Sequence, residues 1–143
     1  MNSKISFTEI TDKNLLEIIR LGINKKHNYI NYYNEVLKNT PEDLNKIVRE
    51  IIADEIKNKY ILMDIYYNTC KSNIKLEEEE LYVSSDFNIS CKKAYVDKME
   101  SIEIYSGLYR LIKGGLVKDI IFDIILDEQL HIAKLNYCLM KGI

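Results

Sequence analysis

Residues that interrupt helices are nearly absent from this sequence, and that scarcity limits what the chain can fold into. Proline occurs once, at Pro41, and glycine occurs only five times in 143 residues. Strand-and-turn architectures need many more such residues, so the sequence predicts long helices. A chain of this length forms one domain, residues 1–143, and buries about two-thirds of the surface that the unfolded chain exposes.

Charge and cysteine content exclude several classes of protein. The net charge of −2 provides no field that would attract nucleic acid or an anionic membrane, so we expect neither partner. Cys70, Cys91 and Cys138 form no C-x-x-C pair, which argues against a zinc ribbon or a disulfide framework and for a reducing compartment. The N-terminal stretch lacks the apolar core of a signal peptide, and no uninterrupted apolar run reaches the roughly 18 residues of a membrane span. We therefore predict a cytoplasmic protein.

Capping signals and apolar periodicity divide the chain into four predicted helices. Thr11 can cap the first helix, and Ser90 can cap the third. Thr40 and Pro41, followed by two acidic residues, form a strong start signal for the second helix. Two glycines at 114–115 break the chain before the fourth helix. The predicted helices span about 12–38, 42–70, 90–113 and 116–141.

The connections between these helices are short, long and short. A short loop joins antiparallel neighbours, whereas the stretch of roughly 20 residues at 71–90 can carry the chain the full length of a bundle. The acidic run Glu77–Glu80 in this crossover is expected to form a solvated turn or a short helix. The predicted fold is an all-α four-helix bundle of two antiparallel hairpins joined by a long crossover.

Polar residues interrupt the apolar seam of every predicted helix. Each helix can be threaded with the alternating three- and four-residue spacing that lines a bundle core. In helices 1, 2 and 4 the polar positions fall near the middle, and in helix 3 they fall nearer its start, so all of them could meet in the folded bundle. The ionisable and amide side chains on the seams, apart from Tyr and Cys, are Lys26, Glu55, Asn58, Lys98, Glu128 and His131.

The two halves of the chain repeat one pattern. The segment IIADEIKN at 51–58 aligns with IILDEQLH at 124–131, which lies 73 residues later, and gives I-I-x-D-E-x-x-[N/H] twice. In the preceding helices, Lys26 and Lys98 lie 72 residues apart. The repeat indicates a duplicated helical hairpin whose polar centre falls at equivalent positions in each copy.

Two hairpins, a long crossover and the E-x-x-H spacing resemble the ferritin-like superfamily, particularly its rubrerythrin and bacterioferritin members. The resemblance covers about residues 12–140. It implies a ferritin-like four-helix bundle with a di-iron site. In that family one glutamate comes from each of helices 1 and 3, and a Glu-x-x-His comes from each of helices 2 and 4.

This chain keeps only part of the family's ligand set. The E-x-x-H of helix 4 is intact, but in helix 2 Asn58 stands where the histidine is expected, three residues after Glu55. Lys26 and Lys98 occupy the positions of the glutamates of helices 1 and 3. The chain also has no cysteine pairs for the rubredoxin-like module that rubrerythrins often carry.

These departures change the charge balance of the implied site. Four carboxylates are neutralised by two dications, whereas Glu55 and Glu128 are balanced by Lys26 and Lys98 without any metal. Added dications would leave excess positive charge in a low-dielectric interior, and a protonated lysine has no lone pair to offer a metal. We therefore expect a degenerate di-iron site without a cofactor, in which the seam amide and imidazole satisfy the remaining donors and acceptors. The expected role is structural or interactive, without ferroxidase activity.

Two other functions remain open at this point. The first is a rubrerythrin-like oxidoreductase that binds an iron or manganese ion through Glu55, Glu128 and His131, with Lys26 or Lys98 swung away. The second is a metal-free enzyme that uses a buried lysine of lowered pKa as a base or nucleophile. The sequence specifies neither a catalytic residue nor a substrate or redox partner.

Several residues near the centre bear on these alternatives. His27 lies one position off the seam of helix 1, so a register error of one residue would bring it inward and favour metal binding. Tyr29, Tyr33 and Tyr105 lie within two turns of the centre. Related sites use such tyrosines for redox chemistry, but an aromatic residue at core spacing usually serves packing.

The resemblance also implies self-association. Ferritin-like proteins commonly dimerise along their helices, so we expect a homodimer. Tyr32, Tyr66 and Tyr67 are predicted to be exposed and are therefore candidate contacts. A ferritin-type shell is not expected, because the chain has little beyond the bundle itself.

Overall fold

The structure is a computed structural model, and it describes residues 13–141. This part of the chain contains four long helices and no strand, so the prediction of an all-α protein with four helices is confirmed. None of the described helices is both long enough and apolar enough to cross a bilayer. The helices are α1 (Lys13–Leu37), α2 (Asn45–Cys70), α3 (Phe87–Leu111) and α4 (Leu116–Lys141).

The start of α2 differs from its prediction. Pro41 precedes a single 3-10 turn, Glu42–Leu44, and the α-helix begins only after that turn. The Thr40 hydroxyl donates to the Val36 carbonyl over 2.8 Å, so it completes the end of α1 instead of capping α2. The predicted cap at Thr11 lies outside the described residues.

The start of α3 lies three residues before the predicted one. Asp86 is its N-cap, and its carboxylate accepts hydrogen bonds from the backbone N–H groups of Asn88 and Ile89. Ser90, which the sequence nominated as the cap, is buried inside the helix, and its hydroxyl donates to the Ser84 carbonyl over 3.1 Å. An aspartate at the N-cap also interacts favourably with the positive end of the helix dipole.

The core follows the predicted seams. α1 packs chiefly against α2, and α3 packs chiefly against α4. The buried apolar residues form two clusters, one toward each end of the helices, because the polar seam positions lie between them. All six polar residues singled out on the seams are buried, so the helical register read from the sequence is correct.

The connection between α2 and α3, residues 71–86, contains neither helix nor strand and lies against the outer side of α1. Asn24 Oδ1 accepts the backbone N–H of Glu77 over 2.7 Å, and Asn28 Oδ1 accepts that of Glu79 over 2.9 Å. The Asn28 amide also donates to the Glu77 carbonyl over 2.9 Å. These two amides satisfy both backbone groups of Glu77 and the N–H of Glu79. The prediction of a turn or short helix at the acidic run was therefore wrong.

The predicted exposure of three tyrosines is only partly correct. Tyr67 is exposed and Tyr66 is half-buried, but Tyr32 is buried and its hydroxyl donates to the Ser90 carbonyl over 2.9 Å. Burial removes Tyr32 from the residues that can contact a second subunit.

Candidate functional site

Four charged side chains meet in the middle of the bundle, one from each helix. Lys26 comes from α1, Glu55 from α2, Lys98 from α3 and Glu128 from α4, and each is at most 1 % exposed. They meet because each occupies a seam position where an apolar residue would otherwise face the core. Charges so deeply buried are stable only when they are paired and hydrogen-bonded.

Each lysine contacts both glutamates. Lys26 Nζ donates to Glu55 Oε2 over 2.7 Å and to Glu128 Oε1 over 3.0 Å. Lys98 Nζ donates to Glu55 Oε1 and lies 3.0 Å from Glu128 Oε2. Positive and negative groups therefore alternate around a closed ring of formal charge zero. We call these four residues the lysine–glutamate centre.

The pKa values of Lys26, Lys98 and Glu128 keep these three groups charged at neutral pH. Burial alone would raise the pKa of Glu128, but the ammonium groups of Lys98 and Lys26 lower it to about 2. Burial lowers the pKa of Lys98 to about 8, with Lys26 adding to this effect and Glu128 opposing it. Burial also acts to lower the pKa of Lys26, but the interactions with Tyr105 and Glu128 outweigh it and raise the value. At pH 7 both lysines are cations and Glu128 is an anion.

A tyrosine ring lies beside each ammonium group, and it comes from the other half of the chain. Lys26 Nζ lies 5.2 Å from the ring centroid of Tyr105, and Lys98 Nζ lies 5.6 Å from that of Tyr33. These distances suit a cation–π interaction. Gly22 lets the Tyr105 ring approach α1, because a Cβ there would lie only 3.0 Å from the tyrosine Oη. The tyrosines are 72 residues apart, as are the lysines they contact.

Asn58 and His131 do not complete the lysine–glutamate centre in the way the sequence suggested. Asn58 Nδ2 donates to Asp127 Oδ2 over 3.0 Å, and His131 Nε2 lies 2.9 Å from Asp54 Oδ2. Each aspartate immediately precedes a glutamate of the centre and pairs with the polar residue of the opposite half. Sequence analysis missed these two partners, although both stand in the repeated D-E of the I-I-x-D-E-x-x-[N/H] pattern.

The inner ring nitrogen of His131 is the least satisfied atom of the site. His131 Nδ1 is buried and has no hydrogen-bond partner among the described residues, and it lies 4.0 Å from Glu128 Oε1. Burial, reinforced by the positive charge of Lys98, lowers the pKa of His131 to about 4. The ring is therefore neutral at pH 7, and when Nε2 donates its proton to Asp54, Nδ1 carries a lone pair.

The donor set fits a di-iron site poorly. Ligand atoms of Glu55, Glu128 and His131 lie within 4.8 Å of one another, which is close enough for one metal ion. Both carboxylates are, however, already bonded to the ammonium groups of Lys26 and Lys98. A dication among them would face two positive charges at short range in a medium of low polarity. One ion would fit only after an ammonium group had moved away.

His27 does not join the site. Its Nε2 lies 2.6 Å from Glu78 Oε1 on the crossover segment, and its Nδ1 lies 3.0 Å from Lys59 Nζ. The imidazole would face the core only if the register of α1 differed by one residue from the predicted one, and it does not. His27 therefore adds no second histidine to the centre.

Comparisons of the chain with protein-family models, with curated proteins and with solved structures find no match.

Proposed function

We propose that this protein is a ferritin-like bundle in which two lysine ammonium groups take the place of the metal ions of a di-iron site. Its role is structural or interactive, without ferroxidase activity. The observation that carries the proposal is the closed ring of contacts, in which Lys26 and Lys98 each bond to both Glu55 and Glu128. A ring that is already neutral gives a dication no electrostatic reason to enter.

Helix pairing and the repeated contacts support the ferritin-like part of the proposal. Consecutive helices are the principal neighbours, and the long segment between α2 and α3 runs along the bundle, as two antiparallel hairpins with a crossover require. The lysine–tyrosine and aspartate contacts each occur twice, with the partners exchanged between the halves. Such exchange is what a duplicated hairpin produces when its copies pack around a pseudo-two-fold axis.

A charged layer of this kind can fix how the helices align. A lysine shifted by one turn would leave its charge buried without a partner, which costs several kcal/mol. The centre would thus select one register of four helices whose other seam residues are mostly interchangeable aliphatic side chains. The three cysteines are free thiols, which supports a reducing cytoplasmic location.

Metal content tests the proposal directly. Protein purified with iron or manganese present, then desalted, is expected to hold well under about 0.1 metal ion per chain by elemental analysis. About two ions per chain would refute the proposal, and about one would support the alternative below. Metal content measured again after mild acid exposure and neutralisation would reveal a site closed only kinetically.

A second experiment restores the missing metal ligands and tests whether metal binding appears. The triple variant Lys26→Glu, Lys98→Glu and Asn58→His restores four carboxylates and two histidines, and it is expected to bind two divalent ions per chain. Adding His131→Ala to this variant is the matched control, and it is expected to weaken binding about 10- to 100-fold. If the triple variant folds, as judged by circular dichroism, but gains no metal affinity, the positions do not form a remodelled metal site.

One observation favours a second candidate, a rubrerythrin-like oxidoreductase with a single ion. The unpartnered Nδ1 of His131 faces Glu128, and with Glu55 it completes a three-ligand cluster. In that case the wild-type chain would bind one ion, and His131→Ala would abolish binding while leaving the fold intact. The enzyme based on a nucleophilic lysine gains less support, because Lys98 is fully buried and bonded to two carboxylates.

A further inference from the structure

The outer face of α4 is apolar along most of its length. Its large side chains are between 45 and 65 % exposed, and they recur every three or four residues, so they form one line on the side opposite the core. A helix that packs on a bundle normally presents polar residues there. We call this line the α4 stripe, and it consists of Phe122, Leu126, Leu130, Ala133, Tyr137 and Met140.

The fold itself does not require an apolar face at this place. The residues that lie 73 positions earlier, on the outer face of α2, include three charged ones: Arg49, Lys57 and Asp64. The two helices have equivalent places around the lysine–glutamate centre, and α2 packs in its place with charged residues on its outer face. The α4 stripe is therefore additional to what the bundle needs.

The exteriors of the other helices are also interrupted or covered. The outer face of α3 carries exposed Lys92, Glu103 and Arg110 between its apolar residues. The outer side of α1 is covered by the crossover segment bound to Asn24 and Asn28. Among the described helices, α4 thus presents the one continuous apolar face.

The α4 stripe is long enough for a specific contact. From residue 122 to residue 140 a helix rises about 27 Å. The ring of Phe122 lies 5.8 Å from that of Tyr109, so the apolar surface continues onto α3. A contiguous exposed surface of this kind, rich in Phe, Leu, Tyr and Met, is typical of protein–protein contacts.

Charges beside the stripe indicate which partner and which orientation. Exposed Asp119 and Asp123 lie at its N-terminal end, and exposed Lys141 lies at its C-terminal end. A second copy of α4 laid antiparallel sets the acidic end of each helix beside the basic end of the other, and the helix dipoles also oppose favourably. A parallel copy would set acid against acid. The other flank carries the uncharged Gln129 and Asn136 and the half-buried Lys118, whose ammonium group is already occupied, because it donates to the Ile112 carbonyl and lies over the Tyr109 ring.

We propose that two copies of this chain pair through the α4 stripe, antiparallel, about a two-fold axis near Leu130. The small Ala133 then lies close to Leu126 of the second copy, and the bulky Phe122 lies near that copy's C-terminal turns. The contact is isologous, because each chain contributes the same surface. The pairing does not depend on the metal-free centre, since it uses only residues on the outside of α4.

Light scattering on size-separated protein tests the pairing. The wild-type chain is expected at twice its mass of 16.8 kDa at micromolar concentration. The variant Leu126→Lys with Leu130→Lys is expected to be a monomer, with dimer affinity reduced at least about 100-fold. The matched control Tyr60→Lys alters an exposed apolar residue on α2 and is expected to remain a dimer.

A change of folding is separated from a change of pairing by measuring circular dichroism and urea unfolding on each variant. The double-lysine variant is expected to keep the helical content of the wild type and to unfold in one cooperative transition. A wild-type monomer at 100 µM would overturn the proposal and leave the stripe to another partner, and so would a double-lysine variant that remains a dimer.

Orientation is tested by cysteine cross-linking in a Cys70→Ser background, which keeps the buried Cys91 and Cys138. Leu130→Cys lies near the two-fold axis and is expected to form a disulfide with its copy when diamide takes up the two thiol electrons. Phe122→Cys lies about 24 Å from its copy in the antiparallel pair and is expected to stay reduced. Cross-linking at both positions would indicate a parallel pair, and cross-linking at neither would place the contact elsewhere.

Discussion

The first half of the bundle, α1 and α2, and the second half, α3 and α4, build the buried centre from the same side chains and differ beside it. Each half contributes one lysine, one glutamate, one tyrosine and one aspartate at equivalent positions. Asn58 in the first half, however, corresponds to His131 in the second. The groups whose charges must cancel are the same in both halves, whereas a position that needs only a hydrogen bond to an aspartate accepts either side chain.

The equivalence of the two halves is tested most strongly by removing one charge. Lys26→Met and Lys98→Met are each expected to lower the free energy of unfolding by about 3–5 kcal/mol, because one carboxylate is left buried without its counter-charge. Urea unfolding at pH 7 measures the loss. Lys98→Met combined with Glu55→Met removes one charge of each sign and is expected to recover more than half of it. A loss of under about 1 kcal/mol in either single variant would mean that the ring is not closed.

The difference between Asn58 and His131 predicts a pH dependence that only the second half supplies. His131 has a pKa of about 4 in the folded protein against an ordinary value of 6.5, so the unfolded chain binds a proton first as pH falls. Stability is therefore lost between about pH 6.5 and 4, by at most on the order of 3 kcal/mol. Glu128, with its pKa lowered to about 2, adds a further loss below about pH 4.5.

His131→Asn makes the second half like the first and is expected to remove the upper part of this loss while keeping the lower part. Urea unfolding at a series of pH values from 7 to 3 separates the two. The control His27→Asn removes the other histidine of the chain, which lies outside the core. Equal profiles for the wild type and His131→Asn between pH 6.5 and 4 would contradict the assignment.

The paired aspartates offer a smaller test of the same comparison. Asp54→Ala and Asp127→Ala each remove the acceptor of a buried side chain, and each is expected to cost about 1–2 kcal/mol in free energy of unfolding. Asp54→Ala should also enlarge the loss of stability as pH falls from 6.5, because the Asp54 carboxylate acts to raise the pKa of His131 and its removal lowers that pKa further. Thermal unfolding of both variants, beside Asp64→Ala on exposed α2 surface, measures the effect. A cost no larger than that of Asp64→Ala would exclude a structural role for these contacts.

The smallest effect is expected at the two tyrosines. Tyr33→Phe and Tyr105→Phe keep the rings that face Lys98 and Lys26, so each is expected to change the free energy of unfolding by less than about 1 kcal/mol. Tyr33→Leu and Tyr105→Leu remove the rings and should cost more than the phenylalanine variants by a similar amount in both halves. Matched urea curves check this. A large cost of Tyr105→Phe alone would show that its hydroxyl near Gly22 matters more than its ring.

Much of the fold and of the lysine–glutamate centre could be predicted from the apolar seams of the helices. Burial of apolar side chains determines which face of a helix points inward, so the phase of the pattern placed Lys26, Glu55, Lys98 and Glu128 in the core correctly. The same reliance on the inward-facing positions explains why Asp54 and Asp127 were missed. They lie one residue off the seam, and whether such a residue reaches the opposite helix depends on interhelical distance, which no periodicity encodes.

The predicted caps at Thr40 and Ser90 and the predicted turn at the acidic run failed because a capping or turn residue has several possible partners. Ser90 and Asp86 are both good N-cap residues, and the choice between them depended on burial of Phe87 in the core. The acidic crossover had no helical periodicity, but its own sequence does not show that Asn24 and Asn28 of α1 bind its backbone. Such contacts join distant parts of the chain, so they become visible only when both parts are placed in space.

The crossover segment also determines how far self-association can proceed. It occupies the outer side of α1, while α2 and α3 keep charges on theirs, so among residues 13–141 the continuous apolar face lies on one side of the bundle. When two chains cover that side reciprocally, each presents only polar exterior to further chains. If the chains pair as proposed, growth stops at a closed pair, whereas a bundle with two such faces would continue to add chains and form a filament.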